Sequence, residues 1–268
     1  MTPRRFLRRR RLIVGVLLLA VVAAAAAAAR GDPFDPSNAI LAKPSGAYPF
    51  GTDELGRDVL TRVLHGASTS LAVALAPALL AAAIGTGVGL VAGYTGGAVD
   101  ELLLKLMELI LVVPRFLLAL VAAALFGAEL WLIVVVLAVT FWPHTARLVR
   151  AEATSLRERE FVEAARSLGA RDTRIVARHL LPLTLPIVAV ASSFQAGQAV
   201  LIESGLSFLG LGDRDVVSWG AMLADAQSYV GLAWWTSVFP GAALALLVLA
   251  VNLVGDGLAD HWNVRSRV

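Results

Sequence analysis

Polar side chains interrupt an apolar segment in the second half of this 268-residue chain, and their chemistry is hydrogen bonding rather than catalysis. Ser192, Gln195 and Gln198 recur every three residues, which is close to one helical turn. Polar groups within lipid normally face the interior of a helix bundle or a water-filled path. These three residues are therefore candidates for lining a translocation path, and hydrogen bonding between helices is the alternative.

Arg115 is a charged candidate for the same path, because it also lies within an apolar run. A helix that entered lipid near Leu102 would carry Arg115 deep into the hydrocarbon, at a cost of at least about 2.5 kcal/mol. If residues 99–109 lie at the interface instead, the guanidinium can reach water, and we favour this arrangement. The functional alternative is that Arg115 and Glu108, two turns apart on one face, line the path.

Asn252 is the last path candidate, and it begins a polar stripe near the C-terminus. Asp256 and Asp260 follow it at four-residue intervals, so the three side chains share one helix face. Such a stripe either gates the exit of a path or hydrates the end of a helix. We favour hydration.

The sequence does not predict a catalytic or metal site. It has no cysteine, which excludes disulfides, thiolate metal sites and cysteine nucleophiles. The glycine-rich run at residues 85–89 lacks the lysine of a phosphate-binding loop. We expect no enzyme activity and no cofactor bound by this chain. The histidines are dispersed along the sequence, at His65, His144, His179 and His261.

The composition is that of an integral membrane protein. Hydrophobic residues make up 58% and charged residues only 16%, whereas soluble domains carry about 25% charge. The net charge of +3 does not indicate nucleic-acid binding, because the arginines cluster at the ends of apolar runs. We predict an all-α, polytopic membrane helix bundle in contact with lipid.

Six transmembrane helices are predicted, and the arginines orient them. Basic residues precede the first span, and eight arginines lie between residues 147 and 178, so both termini and this segment should be cytoplasmic. A cleaved signal peptide ending near Ala29 is the alternative for the first span. We expect residues 1–66 to comprise a basic cytoplasmic tail, the first transmembrane helix and an external loop. Residues 67–258 should form the transmembrane domain, and residues 259–268 a cytoplasmic tail. The expected spans are residues 12–29, 70–92, 109–126, 130–141, 183–201 and 238–254.

Small residues predict where two of these helices meet. Gly85, Gly89 and Gly93 recur every four residues and so lie on one face of the second span. Small residues in lipid allow a neighbouring helix to approach closely. We expect this face to be a helix–helix contact.

The cytoplasmic segment between spans four and five is predicted to fold as helix, sharp turn and helix. Gly169 stands where a helix would end in a left-handed conformation, Asp172 could cap the next helix, and Pro182 should end it. An apolar stripe with small central residues fits a groove on a partner better than a solvated connector. The stripe follows helical spacing at Phe161, Ala164, Ala165 and Leu168.

The same segment resembles the EAA loop of ABC importer permeases, whose coupling helix sits in a cleft of the ATPase subunit. The matching residues are Glu163, Ala164 and Ala165, then Gly169, then Leu181 and Pro182. His179 departs from the isoleucine usual at that position. By this resemblance, the ATPase-coupling residues are Phe161, Glu163, Ala164, Ala165, Leu168, Gly169, Leu181 and Pro182.

Further motifs narrow the resemblance to the C subunits of dipeptide and oligopeptide permeases. They are Gly-Thr-Asp-Glu-Leu-Gly-Arg-Asp at residues 51–58, Ser-Phe-Leu-Gly-Leu-Gly at residues 207–212, and Asn-Leu-Val-Gly-Asp-Gly-Leu at residues 252–258. Residues 213–217 depart from the family, which usually has prolines there. The sequence does not tell how that departure affects the extracytoplasmic surface or the docking of a solute-binding protein there.

The resemblance implies a subunit of an ATP-driven importer in the bacterial plasma membrane. Its expected partners are a second permease subunit of the same fold, two cytoplasmic ATPase subunits that bind ATP and Mg, and an extracytoplasmic solute-binding protein. Peptides are the expected cargo, with nickel complexes, glutathione or another small solute as alternatives. The rival functions from other classes are an ion-coupled secondary transporter and a membrane scaffold.

Overall fold

The computed structural model describes residues 3–263, with side chains described from residue 10 to residue 260. This part of the chain is helical throughout its regular structure, with irregular segments between the helices. The helices are α1 (Pro3–Ala27), α2 (Val59–Thr95), α3 (Gly97–Val112), α4 (Arg115–Phe126), α5 (Leu130–Arg157), α6 (Glu160–Ser167), α7 (Asp172–Ile175), α8 (Leu181–Phe208), α9 (Trp219–Ala226) and α10 (Trp235–Asn263). A π-helical segment (Val176–Leu180) joins α7 to α8, and a 3-10 turn (Gln227–Tyr229) follows α9.

The prediction of an all-α membrane bundle is confirmed. Among the described residues, five helical stretches are long and apolar enough to cross a membrane, and the number rises to six if the bent pair α3 and α4 forms one span. The helices extend beyond most of the predicted spans, because hydropathy marks the part in lipid and not where the helix ends. The five stretches are Arg10–Ala27, Val59–Thr95, Leu130–Arg157, Asp172–Phe208 and Trp235–Asp260.

The second span begins eleven residues earlier than predicted. Residues 59–69 form the first part of α2, which runs unbroken from Val59 to Thr95. Asp58 caps it by accepting a hydrogen bond from the Thr61 backbone N–H at 3.0 Å. Pro77 lies inside the helix without ending it.

The third span is broken rather than continuous. Pro114 lacks a backbone N–H and disfavours helical geometry in the residue before it. Val113 accordingly adopts an extended conformation, with φ −79 and ψ 125, and α3 and α4 meet at an angle of 72°. Arg115 is therefore the first residue of α4, and it does not share a helix face with Glu108 of α3.

The contact between α2 and α5 is as close as the glycines predict. A Cβ atom on Gly85, Gly89 or Gly93 would come within 2.7 Å of an atom of α5. Contacts this short leave no room for a side chain, so only glycine fits at the three positions. The prediction of a helix–helix contact on this face is confirmed.

Glycines also bring α1 against α10. A Cβ atom on Gly15 would lie 2.8 Å from the backbone nitrogen of Val254, and one on Gly257 would lie 2.7 Å from the Cα atom of Leu12. Val22 of α1 belongs to the same buried cluster as Leu247 of α10. These contacts make α1 part of the bundle, and its retention in the mature protein stays a prediction.

A buried ion-pair network fastens the segment before α2 to α9. Asp53 Oδ2 accepts hydrogen bonds from Arg57 Nε at 2.7 Å and from Arg62 Nη1 at 2.5 Å. Arg62 Nη2 also donates to Asp225 of α9 at 3.2 Å. Burial raises the pKa of the adjacent Glu54 carboxyl. The negative charges of Asp53 and Asp225 raise this pKa further, whereas the positive charge of Arg57 lowers it. The motif at residues 51–58 thus has a structural role, because it attaches the segment before α2 to the start of α2 and to α9.

Gly89→Val should loosen the bundle, because its new side chain would overlap α5. Overpacking of this kind costs about 1–3 kcal/mol. The measurement is thermal unfolding of the purified chain in detergent. Gly87→Val is the matched control, since a Cβ atom there meets nothing within 4 Å. Equal melting temperatures for the two variants would contradict the close contact between α2 and α5.

Asp53→Asn should destabilise the segment before α2, because it leaves Arg57 and Arg62 buried without their shared carboxylate. Removing one partner of a buried pair costs about 3–5 kcal/mol. Limited proteolysis of residues 28–58 should therefore accelerate. Asp35→Asn removes the same charge from an exposed site on the same segment and should cleave at the wild-type rate. Unchanged cleavage of Asp53→Asn would disprove the fastening role.

Candidate functional site

The turn after α6 has the geometry that the sequence predicts. The Ala170 N–H donates to Ala165 O at 3.0 Å, and the Gly169 N–H donates to Arg166 O at 2.9 Å. Together with φ +78 at Gly169, these bonds form the paired arrangement that commonly ends helices at a left-handed glycine. α6 therefore ends in a left-handed turn after eight helical residues.

The apolar side chains of α6 lie on two faces rather than in one stripe. Leu168 is 89% exposed and Phe161 is 39% exposed, and Ala164 is exposed between them. Val162 is fully buried, and Ala165 packs partly against the same buried cluster. We call Phe161, Ala164 and Leu168 the outer face of α6. Glu163 is also exposed.

Val162 anchors the inner face of α6 and was missed from the sequence. Val162 and Ala165 are three residues apart, which is the spacing of residues on one helix face. Phe161 and Ala164 have the same spacing, so the sequence does not distinguish the two faces. Leu181 borders the cluster that holds Val162, and Pro182 is exposed. This cluster joins the last turns of α2 and α5 to the start of α8, and its buried members are Leu90, Tyr94, Val149, Ala153, Leu156, Val162, Ile175, Leu180 and Val188.

Polar contacts around Tyr94 complete the attachment of α6. The Tyr94 hydroxyl donates to the Asp172 carboxylate, and the Arg166 guanidinium lies 5.3 Å from the centre of the Tyr94 ring. Hydrogen bonding to Tyr94 raises the pKa of Arg166, which keeps the guanidinium positively charged. Arg157 donates to the Tyr94 carbonyl at 3.2 Å. One aromatic side chain at the end of α2 thus holds both halves of the turn.

Two sequence predictions about the second half of the turn are wrong. Asp172 is the first residue of α7, and its carboxylate is engaged by Tyr94 instead of capping the helix. Pro182 lies near the start of α8 and does not end a helix. The π-helical segment before it shifts the hydrogen bonding by one residue, with the Leu181 N–H donating to Val176 O. That shift lets the chain continue helically into α8.

His179, the departure from the EAA pattern, lies beside the outer face of α6. Its ring is 6.2 Å from that of Phe161, tilted by 48°. Both rings are exposed. The histidine therefore widens the aromatic part of this surface.

A cavity of about 380 Å³ lies between α4, α5 and α8 and gathers three of the five path candidates. Arg115, Gln195 and Gln198 line it, together with His144 and Phe194. The last two were missed, although Phe194 continues the helical periodicity of the glutamines. The remaining lining residues are aliphatic.

The three candidates in the cavity differ in their contacts. Arg115 Nη1 donates to Gln198 Oε1 at 2.9 Å, and its guanidinium lies 5.1 Å from the centre of the Phe141 ring. Gln195 is buried and donates to Phe141 O at 3.1 Å and to Thr145 Oγ1 at 3.0 Å. Gln195 therefore forms the hydrogen bond between helices that was the alternative to a path-lining role. Arg115 and Gln198 face the cavity.

The other two path candidates lie outside this cavity. Ser192 donates to Val188 O of its own helix at 2.8 Å. The Asn252 carboxamide of α10 lies 3.6 Å from the position that a Cβ atom on Gly197 would take. In this structure both residues contribute to packing around α8, and their place in a path stays a prediction.

Comparisons with known proteins agree with this architecture. A family model described as "binding-protein-dependent transport system inner membrane component" matches residues 85–268. A probable peptide ABC transporter permease of Sinorhizobium fredii is 43% identical, over 88% of this chain and 82% of the relative. A dipeptide transport system permease of Alkalihalophilus pseudofirmus is 38% identical, over 87% of this chain and 77% of the relative.

A solved structure supports the fold independently. Inward-facing crystal structures of the methionine ABC transporter MetNI include a chain that superposes with a TM-score of 0.57. The sequence identity is 21%, over 77% of this chain and 96% of the MetNI chain. At that identity the likeness concerns the fold alone. Taken with the family match and the membrane-spanning helices, these findings lead to one conclusion: the chain belongs to the inner-membrane components of binding-protein-dependent transport systems, the multi-pass permease subunits of bacterial ABC importers.

Proposed function

We propose that this chain forms half of the translocation path of a peptide importer and that the outer face of α6 couples it to an ATPase subunit. The relatives named as peptide and dipeptide permeases support the cargo. The exposure of the outer face of α6 supports the coupling. ATP and Mg would bind to the ATPase partners.

The exposed outer face of α6 is the observation that carries the proposal. Leu168 is 89% exposed at the tip of a turn, although α6 is held firmly from behind by Val162. An exposed leucine and phenylalanine on a rigid support fit a groove on another protein, because burying them there releases water from apolar surface. The same segment carries the arginines that predict a cytoplasmic location.

Force applied to α6 would reach the transmembrane helices through its inner face. Val162 packs in the cluster formed by the ends of α2 and α5, and the bond between Tyr94 and Asp172 ties α2 to the start of α7. A buried, close-packed contact transmits displacement because it has no free volume to absorb it. ATP-driven closure of the ATPase subunits would thus tilt helices that line the cavity.

Two further surfaces, the open side of the cavity and the face opposite α6, would contact the other subunits of the importer. A second permease subunit of the same fold would close the open side of the cavity. The solute-binding protein would dock on the opposite face, near the fastened segment of residues 28–58. In this arrangement both termini lie in the cytoplasm.

Leu168→Ala should weaken binding of the ATPase subunit about tenfold to a hundredfold, because burying a leucine contributes about 1.5–3 kcal/mol. The measurement is titration of purified ATPase onto the permease pair in nanodiscs. Leu232→Ala is the control, since Leu232 is a 75% exposed leucine between α9 and α10. Wild-type affinity for Leu168→Ala would contradict docking through this face.

Gly169→Val should reduce ATP-driven peptide uptake in proteoliposomes, because a β-branched residue is strained at φ +78. Gly169→Asn should retain most uptake, since asparagine tolerates the left-handed conformation. A Cβ atom at this position meets nothing within 4 Å, so the two variants differ in backbone preference and not in contact. Equal uptake by the two would show that the turn geometry does not matter for coupling.

A further inference from the structure

The cavity between α4, α5 and α8 contains a positive charge without a negative partner. Arg115, at the start of α4, lines it, and among the described residues that surround it none is acidic. His144 and the two glutamines are its other polar groups. A cation in mostly apolar surroundings favours a nearby anion more strongly than one in water, because the local dielectric is lower.

The guanidinium of Arg115 is held in position with hydrogen-bonding capacity to spare. Gln198 accepts one hydrogen bond, at 2.9 Å, and the face of the Phe141 ring lies 5.1 Å away. Within the described chain, the bond to Gln198 is the one that Arg115 makes. A guanidinium has five N–H donors in a fork that matches the two oxygens of a carboxylate.

The size of the cavity suits a small solute or part of a larger one. Its volume of about 380 Å³ lies within the usual range for ligand sites, and its wall is chiefly apolar with a few polar groups. An apolar wall accepts side chains of varied shape, whereas a fixed cation selects one chemical group. The cavity therefore combines an apolar wall, which can accommodate varied side chains, with a cation, which favours an anionic group.

We propose that Arg115 binds the carboxylate of the cargo as it passes through the cavity, so that the path prefers solutes with a free carboxylate, such as the C-terminus of a peptide. This inference rests on the proposed function and specifies the chemistry of the path. Gln198 orients the guanidinium, and Phe141 supports it from the side of α5. Gln195 is a wall residue, because its amide is already bonded to α5.

The test is equilibrium binding of trialanine and trialanine amide to the purified importer complex without its solute-binding protein. Wild-type complex should bind the free acid about ten- to hundredfold more tightly than the amide, the ratio expected for a charged hydrogen-bonded pair. Arg115→Gln should abolish this preference, and Arg115→Lys should retain part of it, because lysine keeps the charge but loses the fork. Arg147→Gln is the matched control, an exposed arginine of α5, and should leave the ratio unchanged.

Equal binding of acid and amide by the wild-type complex, or undetectable binding of both, would overturn the inference. So would an unchanged preference in Arg115→Gln. ATPase co-purification and the melting temperature of each variant show that the complex is intact. ATP-driven trialanine uptake by wild-type proteoliposomes with the binding protein tests the proposed function separately, so the two ideas can fail independently.

Discussion

Close packing of α2 against α5 is the contact on which the rest of the structure depends. Gly85, Gly89 and Gly93 let the two helices approach until backbone touches backbone. In lipid there is no hydrophobic force to bring helices together, so this close van der Waals contact replaces it. Both helices then end beside each other, and their ends form the buried cluster that contains Val162 of α6.

The buried cluster around Val162 and the cavity are formed by the same helices. α5 contributes Val149 to the cluster and His144 to the cavity, five residues away. Leu180 belongs to the cluster and directly precedes α8. α8 carries Gln195, whose hydrogen bonds to α5 connect the two walls of the cavity. Under the proposed function, movement of α6 would displace both walls of the cavity, which is the mechanical connection that an ATP-driven permease requires.

The sequence predicts the features that depend on local chemistry. Six spans follow from the demand that lipid places on backbone polar groups, and the left-handed turn at Gly169 follows from the freedom of glycine. The sequence does not tell which face of α6 is buried, because Phe161 and Val162 are both apolar and each continues at a three-residue interval. That choice is made by tertiary packing.

Long-range pairings were equally hidden from sequence reasoning. Arg115 and Gln198 are 83 residues apart in the chain, and they meet because Pro114 breaks the third span and turns α4 towards α8. Asp172 is suited to a helix cap, but the hydroxyl of Tyr94, 78 residues away, takes its carboxylate. In both cases a partner from a distant helix decides the role of a side chain whose local options remained open.

Thiol labelling at the outer face of α6 tests the central claim most directly, because the chain has no cysteine of its own. A single Leu168→Cys variant should react rapidly with a polar maleimide in the permease alone and become strongly protected when the ATPase subunits bind. Leu232→Cys should label at one rate in both states. Equal labelling of Leu168→Cys with and without bound ATPase would contradict coupling through α6.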